Sequence, residues 1–360
     1  MQYKEVSKPI SEEQVTKSNF LRRENWMAKV NRQIRLAARP LGFPKESDFE
    51  MVELPVPEPG EGEVLTRTLF LSIDPYMRGR MNDTKSYSTP VPIGGVMVGR
   101  TIGEVVASRD SGFAVGDIVV SFGNWQEYAL IRGKTLRKLD PVLAPVSTAL
   151  GVLGMPGHTA YVGLLDIGQP QPGETVVVSA ASGAVGSLVG QIAKIKGCRV
   201  VGIAGGDAKC RYVVDERGFD ACVDHREADF GAALARACPR GVDVNFENVG
   251  GAVLQAVWPL LNDFARVVVC GLIAHYNDNT PSRSPDLRSV LIKRLTVRGF
   301  IITDHNARLD DFLRDVSAWL REGRIKYRED IVDGLEHAPE AFIGLLHGRN
   351  FGKLIVRVAP

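Results

Sequence analysis

Val176–Gly186 reads VVVSAASGAVG, a β-branched run followed at once by a cluster of very small residues. The run from Thr175 to Val178 is too short and too rich in valine to prefer a helix, and it follows the turn sequence QPQPGE, so it is read as a buried strand. From Gly186, GSLVGQIAKIKG places Leu188, Ile192 and Ile195 on one helical face, with Gly197 as the stop signal. CRVVGIAGG supplies a second strand and completes a β-α-β unit. Within that unit Ala181, Gly183 and Gly186 hold the spacing of a dinucleotide fingerprint, with Ala in the first slot. The glycines let the backbone turn tightly and approach a pyrophosphate, whose charge rests on the helix N-terminus. A glycine triplet alone is weak evidence, but one set between a strand and a helix, with a second strand on schedule, predicts a dinucleotide site. The alternative is a tight turn that binds nothing.

In an NAD site the second strand ends in Asp or Glu, which accepts hydrogen bonds from the adenosine ribose hydroxyls. Here it ends AGGDAK: Gly205 and Gly206 fill the acidic positions, Lys209 lies just beyond, and His225 and Arg226 stand near the end of the next strand. That environment suits a 2'-phosphate, so NADP(H) is the expected cofactor, with either His225 or Arg226 as a second contact. Asp207 is the counter-evidence, since it could pair with Lys209 or repel a phosphate. Lys209 could also be an ordinary solvated residue at a helix start.

The chain has 360 residues, enough for two domains with substantial cores, and a net charge of +2. It has no dense Lys/Arg run with interleaved aromatics, so nucleic acid is not an expected partner. No stretch has the apolar length to span a bilayer, residues 1–26 lack the apolar core of a signal peptide, and a cytoplasmic protein is expected. The five cysteines, Cys198, Cys210, Cys222, Cys238 and Cys270, are widely spaced with no C-x-x-C pair, and read as reduced, mostly buried thiols. Cys270 ends a strand in ARVVVCGL and is the one placed to touch a ligand.

Residues 1–30 read as an N-terminal extension, with a capping box at Ser11–Gln14 and Met27 as an alternative start. From Gln33 to about Asp140 the chain is made of short β-rich runs broken by Pro and Gly, the pattern of a compact, largely antiparallel β domain. Strand and helix then alternate through VDVNFENVG, ARVVVCGLIA and TVRGFIIT, as in a parallel doubly wound sheet. The ending GLLHGRNFGKLIVRV returns to β. The expected fold class is therefore α/β, with a Rossmann sheet over 154–330 inserted into a β-rich catalytic domain made of 31–153 and 331–360.

That order of parts resembles the medium-chain dehydrogenase/reductase superfamily, whose catalytic domain is GroES-like. DPYMRGRM, IGGVMVG, LGMPGHTAY, FENVGG, CGLIAHYN and GRNFGK resemble its zinc-independent branch of prostaglandin reductases, leukotriene B4 dehydrogenases and bacterial NADPH-dependent curcumin reductases. The resemblance runs from about Asn31 to Val358. The residues agree on zinc: no Cys precedes Cys198 and no His precedes His158, so the β domain cannot supply a thiolate and imidazole ligand set. No metal is expected.

The resemblance implies reduction of the conjugated C=C bond of α,β-unsaturated ketones or aldehydes, small molecules, with hydroxyl donors holding the charge on the enolate oxygen. It implies that Gly183, Ala184, Val185 and Gly186 form the pyrophosphate turn, that Lys209 holds the 2'-phosphate, and that His225 replaces a tyrosine near it. It further implies cofactor contacts from Asn248 and Asn350, and a nicotinamide end lined by Cys270, Gly271, Leu272, Ile273 and Tyr276 and by Phe300, Ile301 and Ile302. Tyr276 and Tyr76 are the candidate catalytic residues; for either, the alternative is an aromatic packed under a loop with its hydroxyl on backbone. Asn277–Arg288 is long and polar and reads as a lid. His158 is read as a helix-start residue. The resemblance also implies a homodimer, paired through the edge strand TVRGFIIT. Two rivals remain at this stage: an NADPH quinone oxidoreductase on the same fold, and a non-catalytic nucleotide-binding redox sensor.

Overall fold

A computed structural model describes residues 30–278 and 285–359. The Ser11–Gln14 capping box, Met27 and half of the expected lid, residues 279–284, lie outside the described residues. Three sheets are present in them.

The strands β8 (Thr175–Ser179), β9 (Arg199–Ala204), β10 (Ala221–Asp224), β11 (Val242–Glu247), β12 (Leu261–Val269) and β13 (Thr296–Gly299) form one parallel sheet in the order β10-β9-β8-β11-β12-β13. Every residue of β8 is buried, and Val176, Val177 and Val178 are fully so. This is why the strand shows no apolar alternation: helices cover both faces of a parallel sheet. Each such valine contributes roughly 1.5–3 kcal/mol by leaving water. Sequence-adjacent strands run outward from β8 on one side and from β11 on the other. Chain order therefore reverses between these two, and ligands of open α/β sheets bind at the carboxyl ends of strands flanking such a reversal.

The second sheet joins β3 (Glu63–Ser72), β4 (Thr101–Ser108), β5 (Ile118–Ser121), β6 (Tyr128–Arg132), β7 (Arg137–Leu139), β14 (Glu329–Asp333) and β15 (Lys353–Arg357). It is antiparallel except where β14 runs parallel to β15. The chain has thus rejoined this sheet by Glu329, two residues ahead of the expected return at 331. A short antiparallel pair, β1 (Val30–Leu36) with β2 (Phe49–Pro55), completes the β-rich part.

Two features go beyond the sequence reading. The left-handed residue of the strand-to-helix turn is Ala180, at φ +50°, and neither Gly183 nor Gly186 has a positive φ. The glycines serve close approach instead: a Cβ on Gly186 would lie 2.4 Å from Ala180 O. Ala is accommodated in the first slot because Gly202 stands opposite, where a Cβ would lie 2.9 Å from that of Ala181. The cysteines, distant in sequence, are not all distant in space: the Cys222 thiol donates to Cys210 Sγ at 3.2 Å.

Candidate active site

At the carboxyl end of β8 the chain turns through Gly183, Ala184 and Val185 into the helix Gly186–Ile195. Gly183 pairs as an isolated parallel bridge with Gly352, which lies just before β15. Phe351 packs edge-on to Tyr212 at 4.7 Å on the nucleotide side. The C-terminal motif is therefore seated on the glycine turn itself, and within it Asn350 Nδ2 donates to Gly352 O at 2.9 Å.

Beyond β9, Gly206 at φ +96° enters the helix Asp207–Asp215. A Cβ on Gly205 would lie 2.9 Å from His225 Nε2 and 3.0 Å from Arg226 Nε, so both basic side chains lie over this glycine. Lys209 Nζ donates to Gly348 O at 2.7 Å, and burial, followed by the nearby Arg226 charge, lowers its pKa. Asp207 does not pair with Lys209: its carboxylate faces Arg211 at 2.9 Å. Asp224 accepts from the Arg226 backbone N–H rather than from its guanidinium. Among the described residues neither Lys209 nor Arg226 forms a salt bridge. A half-buried ammonium and a guanidinium, with a histidine beside them and no carboxylate partner, fit a phosphate dianion, and so fit NADPH better than NADH.

The neighbouring loop is ordered by a residue that the sequence reading passed over. Glu247, fully buried at the end of β11, accepts hydrogen bonds at Oε1 from Ser179 Oγ and from the backbone N–H groups of Val249 and Gly250, and at Oε2 from Asn245 Nδ2. Asn248 then donates from Nδ2 to Ser179 O and from its backbone N–H to Ser179 Oγ. The carboxylate in FENVGG thus locks the two strands at the chain reversal. Its signal was an acidic residue at the carboxyl end of the strand VDVNFE, in the parallel sheet.

The segment after β12 carries the other end of the site. Cys270 and Gly271 donate backbone N–H groups to Glu247 O, and Ile273 donates to Asn248 O. His275 accepts from the Gly251 N–H at Nε2 and meets Asp278 at Nδ1, which places the ring proton on Nδ1. Tyr276 follows with its hydroxyl above Gly271, where a Cβ would lie 3.3 Å away. Burial raises its pKa, while the Leu272 N–H opposes that rise. Burial pushes the Cys270 thiol up to about 12, so it stays protonated at neutral pH.

From the β-rich part, Tyr76 packs half-buried against the same apolar cluster as Ile273, bringing DPYMR and CGLIAHYN together. Burial and the Asp74 carboxylate raise the Tyr76 pKa; Arg100 and Arg80 act against them. Asp74 is itself held by Lys353, Nζ to Oδ1 at 3.0 Å. Tyr87, which the sequence reading did not single out, stands near enough to Tyr76 and Tyr276 that its ionised form would disfavour theirs. Phe300 and Ile302 are half-buried against the core of the parallel sheet, and Ile301 lies between them. His158 lies inside the helix Met155–Val162, stacked on Phe312 at 5.2 Å. Among the described residues no three His, Cys, Asp or Glu side chains converge to hold a metal ion.

The model for the N-terminal domain of oxidoreductase matches residues 32–139, and that for zinc-binding dehydrogenase matches residues 184–318. The chain is 53% identical over 335 residues to the NADPH-dependent curcumin reductase of Escherichia coli (strain K12), covering 91% of this chain and 97% of that protein. It is 41% identical over 323 residues to prostaglandin reductase 1 of Bos taurus, covering 88% and 96% respectively. Among solved structures, CurA from Vibrio vulnificus in complex with NADPH superposes with a TM-score of 0.88 at 52% identity, over 91% of this chain and 99% of that one.

Proposed function

We propose, from the premise that the chain belongs to the zinc-independent branch of the medium-chain dehydrogenase/reductase family, that it reduces the C=C bond of α,β-unsaturated ketones and aldehydes with NADPH. The observation that carries this reading is a basic group of Lys209, His225 and Arg226 that forms no salt bridge among the described residues, together with the phenols of Tyr76 and Tyr276 kept neutral by burial. NADPH supplies a hydride for the β-carbon. The glycine turn Gly183–Gly186, Lys209, His225, Arg226, Asn248 and Asn350 would hold it.

A conjugated carbonyl that takes hydride at its β-carbon gathers negative charge on oxygen as an enolate, and the product is completed when the α-carbon takes a proton from water. Tyr276, protonated well above neutral pH, donates its hydroxyl to that oxygen, and Tyr76 orients the carbonyl from the opposite wall. Residues 270–273 and 300–302 exclude water around the nicotinamide end, which strengthens those hydrogen bonds. Turnover of NADPH deuterated at C4 with a conjugated enone should place deuterium on the β-carbon. Reduction of quinones alone, or no acceleration of NADPH loss by any enone, would overturn this reading.

We also infer a homodimer. Every residue of edge strand β13 is exposed, and Leu287, Leu291, Ile292 and Val297 present apolar side chains beside it. Sedimentation of a Val297→Lys variant as monomer, against a dimeric parent, is the expected result. The free thiols among the described residues suit a cytoplasmic protein, and no helix in them is long and apolar enough to cross a membrane.

A further inference from the structure

The short helix that begins at Tyr76 also carries Arg78, only 2% exposed and without a role in the chemistry above. Its guanidinium reaches three pieces of chain. Nε donates to Asn277 Oδ1 at 2.9 Å, Nη2 to Gly42 O at 2.8 Å and Pro40 O at 3.4 Å, and Nη1 to Asn82 Oδ1 at 2.5 Å. All four acceptors are neutral oxygens. Among the described residues Arg78 forms no salt bridge, and the buried Asp48 carboxylate acts on it only without direct contact. A buried cation held by neutral oxygens is a poor way to gain stability, so the arrangement calls for another explanation. Its placement supplies one: Arg78 lies two residues after Tyr76, and Asn277 directly follows Tyr276.

We propose that Arg78 is a positioning residue which, by hydrogen-bonding Asn277 from the helix of Tyr76, fixes the separation of the two tyrosines across the cleft. The proposal rests on the reductase reading above. Arginine suits the task because its planar fork donates in three directions at once, whereas a lysine ammonium is a point charge on a flexible stem. Among the described residues the other hydrogen bonds of the Tyr276 turn are local to the nucleotide half, Gly251 and Asp278 with His275 and Asn248 with Ile273, and toward the β-rich part Ile273 makes only apolar contact. Arg78 adds a tether from the opposite wall. The phosphate end is held by different residues, so loosening the tether should slow the reaction while leaving NADPH in place.

The test turns on Asn277, whose replacement leaves the buried guanidinium intact. Asn277→Ala removes the acceptor and Asn277→Asp restores one with added charge. Kinetics with one enone, NADPH titration by fluorescence, and hydrogen exchange of a peptide spanning Cys270–Asp278 are measured on each. Asn277→Ala should lose about ten-fold in kcat, since small misplacements near reacting groups cost up to about a hundred-fold. Its NADPH affinity should hold within about two-fold, and the peptide should exchange faster. Asn277→Asp should recover both rate and protection. Arg78→Lys should resemble Asn277→Ala, and the double variant should be no worse than either, as for two ends of one contact. Unchanged kcat and exchange in Asn277→Ala would overturn the proposal, as would a loss of NADPH binding that Asp does not repair. If the parent protein reduces no enone, the reductase reading fails by itself; the exchange comparison still decides the tether, which is overturned if protection survives in Asn277→Ala.

Discussion

The two ends of the cleft are built in different ways. The phosphate end draws most of its groups from one continuous stretch, Gly183 to Arg226, in which Gly186, Gly190 and Gly202 stand where neighbouring chain comes too close for a side chain. The tyrosine end is assembled from Tyr76 and Tyr87 on one side and the 270–278 turn on the other, joined by Arg78 across 199 residues of sequence. Backbone sterics dictate the first end, while the second depends on side chains that meet only after both sheets have formed. The first should therefore fail abruptly when its backbone is crowded, and the second should degrade by degrees.

The largest effect expected is that of Gly186→Val. A Cβ there would meet backbone, Ala180 O at 2.4 Å and Ala180 C at 2.9 Å, with no flexible side chain to give way. NADPH binding should fall by more than about a hundred-fold, read by fluorescence titration alongside thermal melting. Normal binding would mean that the turn is less constrained than its contacts indicate. Lys209→Ala comes next. Losing an ionic hydrogen bond worth about 1.5–3 kcal/mol should weaken NADPH by about ten-fold to a hundred-fold and leave NADH nearly untouched. Equal losses for both cofactors would remove Lys209 from the phosphate site.

Tyr276→Phe should be milder still. Removing one strong oxyanion donor costs about 2.7–4 kcal/mol in other enzymes, but the family resemblance implies that a ribose hydroxyl of the bound cofactor would serve as a second donor, so a kcat loss of about ten-fold is expected with NADPH affinity unchanged. Tyr76→Phe should mainly raise KM. A collapse of kcat in the Tyr76 variant, with full kcat in the Tyr276 variant, would reverse the two roles.

The same contrast explains what the sequence disclosed. The alternation of valine-rich runs with helical periods announced the parallel sheet, and the missing acid after β9 announced the phosphate preference, because both depend on neighbours along the chain. Ala180 escaped notice because a left-handed conformation is ordinarily expected of glycine, and nothing in the sequence singles out this alanine. Glu247 was hidden inside a quoted motif: its role is set by four donors, three of them within three residues but one on β8. Arg78, Tyr87 and the Cys210–Cys222 contact were beyond reach because nothing local distinguishes a tethering arginine or a paired thiol from a surface one. The single-residue roles of Tyr76 and Tyr276 came from resemblance to a family, not from spacing.

The smallest effect separates the two ends by pH. In the free protein, burial and the neighbouring Arg226 lower the Lys209 pKa below its ordinary value of 10.5. A bound 2'-phosphate dianion favours the charged ammonium and raises that pKa again. Between the two values, binding takes up a proton, so NADPH affinity falls as pH rises, by at most about ten-fold per pH unit. The phenols behave oppositely: burial raises Tyr76 and Tyr276 above the usual 10.0, so the donors persist through the same window. On the alkaline side of neutrality the NADPH dissociation constant should therefore climb before kcat declines. NADH, which lacks the phosphate, should show no such climb, and Lys209→Gln should abolish it for NADPH. If kcat instead fell first while NADPH affinity stayed level, the phosphate end would not be governed by an ammonium that gains its charge partner only when the cofactor arrives.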